Sequence, residues 1–253
     1  MGWTSEMLAL DFDVSREKQD EYGMLSHRRA SAAQRQGRFH CEILPLQATV
    51  LSDPANCSGG RVSILVDKDD GIRHDPTPET MRAARPAFKG FGDERSTGPN
   101  SSQVTDGAAM AILMKRRLAH QLGLEIAATH IGTSVVGVRP SVMGIGPVEA
   151  ILKVLSSKQL EIDDVDLFEI NEAFGSMYAY CVETLGLDLE KVNVNGGAIA
   201  LGHPLGATGV RQVVTGVAEL QRRRRENQAA SPSLLCTSMC VGSGMGAAAL
   251  FAV

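Results

Sequence analysis

The stretch VNVNGGAIALGHPLGATG, from Val192 to Gly209, sets one histidine, His203, among five glycines and a proline with almost no charge nearby. Loops are ordinarily polar, whereas this one is apolar on both sides of a single titratable group. Its opening VNVNGG reads as a strand running into a turn, and residues 206–224 read as a helix. A histidine at such a junction can aim its imidazole at the C-terminal edge of a sheet, where α/β proteins bind ligands. Gly202 before it and Gly206 and Gly209 after it let backbone approach a bound molecule closely. On these residues alone, a surface or core histidine without a chemical role stays as open as a functional one.

The same alternation extends outward through the second half. IAATHIGTSVVGV (126–138) has the look of a buried strand, and a helix over 147–157 opens with Pro147 as a first-turn residue. VDLFEI (165–170) is a short strand, followed by a helix over 171–186 that Gly186 closes. SLLCTSMCVGSGMGAAALFAV (233–253) offers two strands around a tight glycine turn. Strands alternating with helices predict an α/β layered fold. Residues 4–37 read as helical, with Thr4, Ser5 and Glu6 at the start, a second pattern from Ser15 to Arg35, and Gly37 as C-cap. FHCEILPLQATVLS (39–52) is strand-like. Residues 53–99, rich in proline and glycine, read as an excursion from the core. Residues 104–122 read as a helix with Val104, Ala108, Ala109, Ile112, Leu113 and Leu118 on one side. There is no short-period repeat.

Composition narrows the function classes. The chain has 253 residues, 43% hydrophobic and 21% charged, which is enough for a sizeable core and one or two domains. Aromatics are only 4%, so the core must be built from Ala, Val, Leu, Ile and Met. A net charge of −4 gives no basic footprint for nucleic acid. No apolar run approaches the roughly 20 residues of a membrane span. The N-terminal stretch lacks the basic and apolar regions of a signal peptide, and Phe251-Ala252-Val253 is not a peroxisomal address of the S-K-L kind. Five scattered cysteines argue for a reducing compartment over a disulfide framework. The expectation is an intracellular protein, peroxisomal or cytoplasmic, with no targeting signal in the chain.

Three further motifs carry chemistry. In CTSMCVGSGMG (236–246), Cys236 and Cys240 have no second pair with which to build a zinc site, so no metal is expected. The glycine run leads into a strand, whereas a dinucleotide loop opens a helix. What remains is Cys240 at a glycine turn whose N–H groups can receive an oxyanion. In EINEAFG (169–175), Asn171 is either a helix N-cap or a holder of a water or carbonyl oxygen. In GPNSSQVTDGAA (98–109), Asn100, Ser101 or Ser102 either caps a helix or meets an amide- or phosphate-bearing ligand at its N-terminus. The run Arg222–Arg225 reads as a solvated helix end that complements the dipole.

These motifs occur together, in this order, in the thiolases, the CoA-dependent acyltransferases that make or cleave 3-ketoacyl-CoA. The chain resembles that family over essentially its whole length, through MGWTSE (1–6), SREKQDEY (15–22), RPAF (85–88), NSSQVTDGAA (100–109), VVGVRPSVMGIGP (135–147), DVDLFEINEAF (164–174), NVNGGAIALGHPLGATG (193–209) and MCVGSGMGAA (239–248). NEAF and the C-x-G turn separate it from the related ketoacyl-carrier-protein synthases, and NEAF from sterol-carrier-type thiolases. The resemblance implies a layered αβαβα fold with the second half complete and the first truncated. Residues 1–125 would be the remnant of the N-terminal domain, including its loop domain, and 126–253 the C-terminal domain.

Roles carry over by motif. His203 would hydrogen-bond the thioester oxygen and help activate the nucleophile. Cys240 would be the acid/base, Asn171 would hold the water that completes the first oxyanion site, and the Gly242 N–H would serve the second. Ser102 would meet the pantetheine chain, and Gly98, Met143 and Phe174 would line the acyl and pantetheine tunnel. Coenzyme A would be a co-substrate, with no permanently bound cofactor, and the chain would be a homo-oligomer or pair with a partner thiolase chain. Thiolases attack with a cysteine upstream of all these motifs. None of Cys41, Cys57, Cys181 or Cys236 stands in a nucleophile-like context. The implied function is Claisen condensation or thiolysis of acyl-CoA and 3-ketoacyl-CoA thioesters, in fatty-acid β-oxidation or a specialised biosynthetic pathway. The alternative is a catalytically inactive thiolase-like fragment that binds acyl-CoA or a thiolase partner.

Overall fold

The computed structural model describes residues 1–53, 59–227 and 232–253. In chain order its elements are α1 (Gly2–Asp11), α2 (Arg16–Arg35), β1 (Leu46–Leu51), β2 (Arg61–Val66), α3 (Pro78–Arg82), α4 (Arg116–Gln121), β3 (Thr129–Gly137), α5 (Gly146–Ser156), β4 (Leu167–Ile170), α6 (Gly175–Leu185), α7 (Ala198–Leu201), α8 (Thr208–Asn227), β5 (Leu234–Val241) and β6 (Met245–Ala252). Single 3₁₀ turns at Arg38–Cys41 and Pro140–Ile145 join some of them.

The four strands of the second half form one sheet in the order β3-β6-β5-β4. β5 and β6 are an antiparallel hairpin that pairs Val241 with Met245. Its turn, Gly242-Ser243-Gly244, takes positive φ at Ser243 and Gly244, which a glycine-rich sequence permits at little cost. β4 lies parallel to β5, so both strands end at the same edge of the sheet. The period-two alternation of side chains sorts the two faces. Phe168, Ile170, Cys236, Cys240, Ala248 and Leu250 point into a large core with Ile151 and Val154 of α5 and Met177, Tyr178 and Cys181 of α6. Leu167 and Leu235 point the other way, against Leu220 and Val217 of α8. Helices thus cover both faces. Full burial of an Ile or Leu side chain in such layers contributes about 1.5–3 kcal/mol.

Local chemistry explains several boundaries. Ser15 caps α2 by accepting from the Lys18 N–H at 3.2 Å, and Gly37 turns the chain away in the left-handed conformation just past the helix. Pro147 sits in the first turn of α5, where its missing N–H costs nothing. Gly186 closes α6 in the left-handed conformation.

Other boundaries differ from the sequence expectations. The helix expected over 104–122 shrinks to α4, and 102–115 carries no regular structure. Val104, Ile112 and Leu113 are 96%, 81% and 79% exposed. An amphipathic pattern forms a stable helix chiefly by burying its apolar side, and here that side meets no surface. The strand expected over 39–52 splits, because Arg38–Cys41 is a 3₁₀ turn and only Leu46–Leu51 is extended. β1 pairs with β2 as an isolated antiparallel hairpin, so the 53–99 excursion holds a strand and the short α3. The N-terminal helical region forms two helices, with the second starting after Ser15 as expected and the break falling over 12–15. Of VNVNGG, only Val192 makes a strand contact, a parallel bridge to Phe168. α6 begins at Gly175, so Asn171 is not its N-cap, and no helix starts near Asn100, Ser101 or Ser102. α8 runs past residue 224. Its Arg222 and Arg223 do not simply meet solvent but bond the buried Glu219 at 2.7 and 2.8 Å. Cys57 lies outside the described residues.

Candidate functional site

The parallel ends of β4 and β5 collect the candidate residues. Asn171 follows directly on β4 and is fully buried. Its backbone N–H donates to Ser238 O of β5 at 2.9 Å, which fixes it at the strand edge. Its Nδ2 lies 3.4 Å from His203 Nε2. His203 stands in the loop between α7 and α8, and its N–H donates to Gln103 O at 2.9 Å. Gly202, before it, has φ +92, and a Cβ there would strike the Thr105 side chain. The glycine is therefore what lets the loop pass so close to 103–105.

The other imidazole nitrogen, Nδ1, lies 2.7 Å from Thr208 Oγ1, at the start of α8. That hydroxyl has one hydrogen and two acceptors in reach, His203 Nδ1 and Pro204 O at 3.2 Å. Which of them it serves sets the imidazole tautomer. Burial and the Arg211 guanidinium both depress the His203 pKa below its ordinary value, so near neutral pH the ring is uncharged.

Cys240 lies near the end of β5, two residues beyond Ser238. It is 8% exposed and its Sγ is 3.6 Å from Met177 Sδ. Burial pushes its thiol up to about 12. Among the described residues no hydrogen bond joins Cys240 to His203. Gly242 is exposed in the turn beyond Cys240, with open space around it.

The residues assigned to the pantetheine and acyl chain are more dispersed. Ser102 donates from Oγ to Ala173 O at 2.9 Å, beside Phe174. Phe174 stacks edge-on against Phe88 with ring centroids 6.1 Å apart. Met143 is 3% exposed within the main core, and Gly98 lies in open space. An open groove of about 380 Å³ runs beside His203 between residues 105–109 and 204–207. Neither Met143 nor Phe174 lines it.

With this geometry in place, two family descriptions match the chain: the thiolase C-terminal domain over residues 124–253 and the thiolase N-terminal domain over residues 1–117. The chain belongs to the thiolase family. It is 50% identical to the peroxisomal 3-ketoacyl-CoA thiolase B of Mus musculus over 251 residues, 99% of this chain and 56% of that relative. Among solved structures, the dimeric peroxisomal thiolase of Saccharomyces cerevisiae superposes with TM-score 0.82 at 42% identity, over 100% of this chain and 58% of that one. Human mitochondrial 3-ketoacyl-CoA thiolase in complex with CoA superposes with TM-score 0.84 at 34% identity, over 100% and 58%. The chain thus spans a little over half the length of the curated relatives it matches, and the thiolase layered α/β fold holds for it.

Sequence reading missed the groups that brace this candidate site. Glu172, beside Asn171, is fully buried. It accepts from Ser26 Oγ at 2.6 Å, Asn193 Nδ2 at 2.8 Å and the Ile199 N–H at 3.1 Å. It thereby ties α2 and α7 to the loop after β4. Glu169 and Arg211 form a 3.1 Å ion pair behind His203. One signal was available for both acids: each interrupts or adjoins an apolar strand, where a charged residue is rarely buried without a partner.

Proposed function

We propose that this chain is the His203- and Cys240-bearing part of a thiolase-type acyltransferase that acts on acyl-CoA and 3-ketoacyl-CoA thioesters. The observation that carries the reading is the Asn171–His203 pair at 3.4 Å, set at the same sheet edge as Cys240. Residues 126–253 supply the C-terminal domain and 1–125 the remnant of the N-terminal one. His203 Nε2 donates to the thioester oxygen, which requires the Thr208 hydroxyl to donate to Nδ1 and the Asn171 amide to face Nε2 with its partnerless oxygen in place of its NH2 group. Asn171 holds the water that completes this first oxyanion site. The Gly242 N–H, free in its turn, serves the second. Donors placed where charge develops stabilise the enolate and the tetrahedral adduct.

Cys240, held protonated by burial, gives its proton to the α-carbon of the departing enolate in thiolysis and takes it back in condensation. Ser102 meets the pantetheine chain, and Gly98, Met143 and Phe174 bound the acyl and pantetheine path. Coenzyme A is the co-substrate. The CoA complex of the human relative and the dimeric state of the yeast one support CoA binding and assembly of this chain as a homo-oligomer or with another thiolase chain. The peroxisomal relatives make the peroxisome the compartment to examine first.

The covalent step needs a reactive thiolate. Cys181 and Cys236 are fully buried, and burial lifts both thiols, Cys236 to about 12. Cys41 is exposed on the turn after α2. Cys57 lies outside the described residues; the nucleophile is proposed to come from another chain or segment. The test is cleavage of acetoacetyl-CoA and a longer 3-ketoacyl-CoA, with CoA as acceptor, by the purified chain and its Cys240→Ser variant, each mixed with a thiolase N-terminal segment that carries a nucleophilic cysteine. Turnover lost in the variant supports the assignment of Cys240; turnover that persists in it removes Cys240 from the reaction.

A further inference from the structure

The residues around His203 form a closed ring of contacts. From Nδ1 the ring runs to Thr208 Oγ1, which is fully buried at the start of α8. On the next turn of that helix, Arg211 Nη1 donates to Glu169 Oε2 on β4 at 3.1 Å. Beside it, Gln212 Nε2 donates to both Glu169 O at 2.9 Å and Ser238 O at 3.1 Å, so one amide joins β4 and β5 to α8. Two residues beyond Glu169, the Asn171 side-chain amide lies 3.4 Å from His203 Nε2 through Nδ2; with the hydrogen on Nε2 the amide must turn its partnerless oxygen to the ring instead.

We propose that Arg211, anchored by Glu169, is a positioning residue for His203. It seats the first turn of α8 so that Thr208 donates to Nδ1, and its charge opposes a second positive charge on the ring. The claim rests on the reading of His203 as the thioester-oxygen donor, because that role needs a neutral ring with its hydrogen on Nε2.

Arg211 is the cation facing His203. It also faces Glu169 on β4, Glu42 after the Arg38–Cys41 turn, and Asp69 in the loop after β2. Glu172 adds negative charge near Glu169, and Glu219 and Asp69 near Glu42. Burial raises both Glu169 and Glu42, so as pH falls these carboxylates take up protons early and neutralise Arg211 less. His203 would otherwise protonate over the same fall in pH, so the guanidinium opposes its charging there.

The experiment is ¹⁵N imidazole NMR of the purified chain, reading the tautomer and titration midpoint of His203. The expected wild-type ring is neutral at pH 7 with the hydrogen on Nε2. Thr208→Val should move the hydrogen toward Nδ1. Arg211→Gln should raise the midpoint by about half a pH unit, and Arg211→Lys should restore most of it. The pair Glu169→Gln with Arg211→Met leaves no charge buried alone and serves if Arg211→Gln does not fold. An unchanged midpoint in a folded Arg211→Gln or double variant overturns the proposal, as does a wild-type ring with its hydrogen on Nδ1. Expected titrations without cleavage of acetoacetyl-CoA once a nucleophile-bearing thiolase segment is supplied would keep the positioning role and remove the thioester assignment; cleavage in that mixture with an unmoved midpoint would do the reverse.

Discussion

Two regions of this thiolase are made from similar residues and behave differently. In the layers of the second half, Ile151, Leu167, Leu235 and Leu250 are fully buried, between a twisted sheet and helices on both faces. In residues 104–114, Val104, Met110, Ile112 and Leu113 are 79–96% exposed, and the β1–β2 hairpin likewise leaves Leu46, Ile64 and Leu65 open. Hydrophobicity alone does not make a core. A side chain gains stability only where a second surface removes it from water, and the layers have such surfaces, whereas Val104, Met110, Ile112 and Leu113 are left open by the described residues.

The comparison is broken most directly by truncation. Phe168→Ala, in the layers, should destabilise by about 3–5 kcal/mol, while Ile112→Ala should fall within about 0.5 kcal/mol; urea midpoints measure both. A large loss at Ile112 would mean that 104–114 is covered in solution. Backbone spacing gives the next contrast. A Cβ on Gly246 would collide with the Gly146 backbone, whereas one on Gly206 meets nothing within 4 Å. Gly246→Ala should therefore cost about 1–3 kcal/mol, and Gly206→Ala should leave the melting temperature nearly unmoved.

Charge sharpens the contrast by pH. Arg222, Arg223 and Asn195 hold Glu219 at about 2, below its ordinary 4.5. The stability it adds is complete above pH 4.5 and is lost as pH falls toward 2. Glu219→Gln should cost about 1–2 kcal/mol at pH 7 and much less at pH 2.5, by urea titration at the two pH values. Glu42 acts in the opposite sense. Burial lifts it to about 7, so the folded form prefers the proton, and the fit of the 38–45 segment weakens as pH rises from 4.5 to 7. Glu42→Gln should remove about 1 kcal/mol of that slope, seen as hydrogen exchange in 38–45 that no longer quickens with pH beyond its intrinsic rate. No change would place Glu42 in water.

How much of this was legible depended on whether the deciding partner was near in sequence. The β5–β6 hairpin was, because Gly242 and Gly244 sit inside the run they turn. So was the start of α2, where Ser15 meets Lys18 within one turn. The start of α6 was not. Asn171 has the chemistry of a cap, yet its N–H is taken by Ser238 on a distant strand, and the helix begins only after Phe174. The 104–122 pattern failed for the same reason in reverse, since its periodicity is real but the surface it would need is not in contact. At the site, family motifs led to Asn171, His203, Cys240 and Gly242. The Glu169–Arg211 and Gln212 contacts were invisible because they join segments 26 to 43 residues apart in ways no spacing encodes.

Gly146 and Gly246 carry a last consequence, one of mutational tolerance. Their backbones touch, so α5 is seated against β6 with no room for a side chain on either partner. Core positions elsewhere can trade volume, one residue shrinking as its neighbour grows. Here neither residue can shrink further, so no second-site change at the partner can rescue a larger one. A library randomised at both positions together should return the wild-type pair, and the two sites should drift as little as any in the chain while carrying no chemistry of their own.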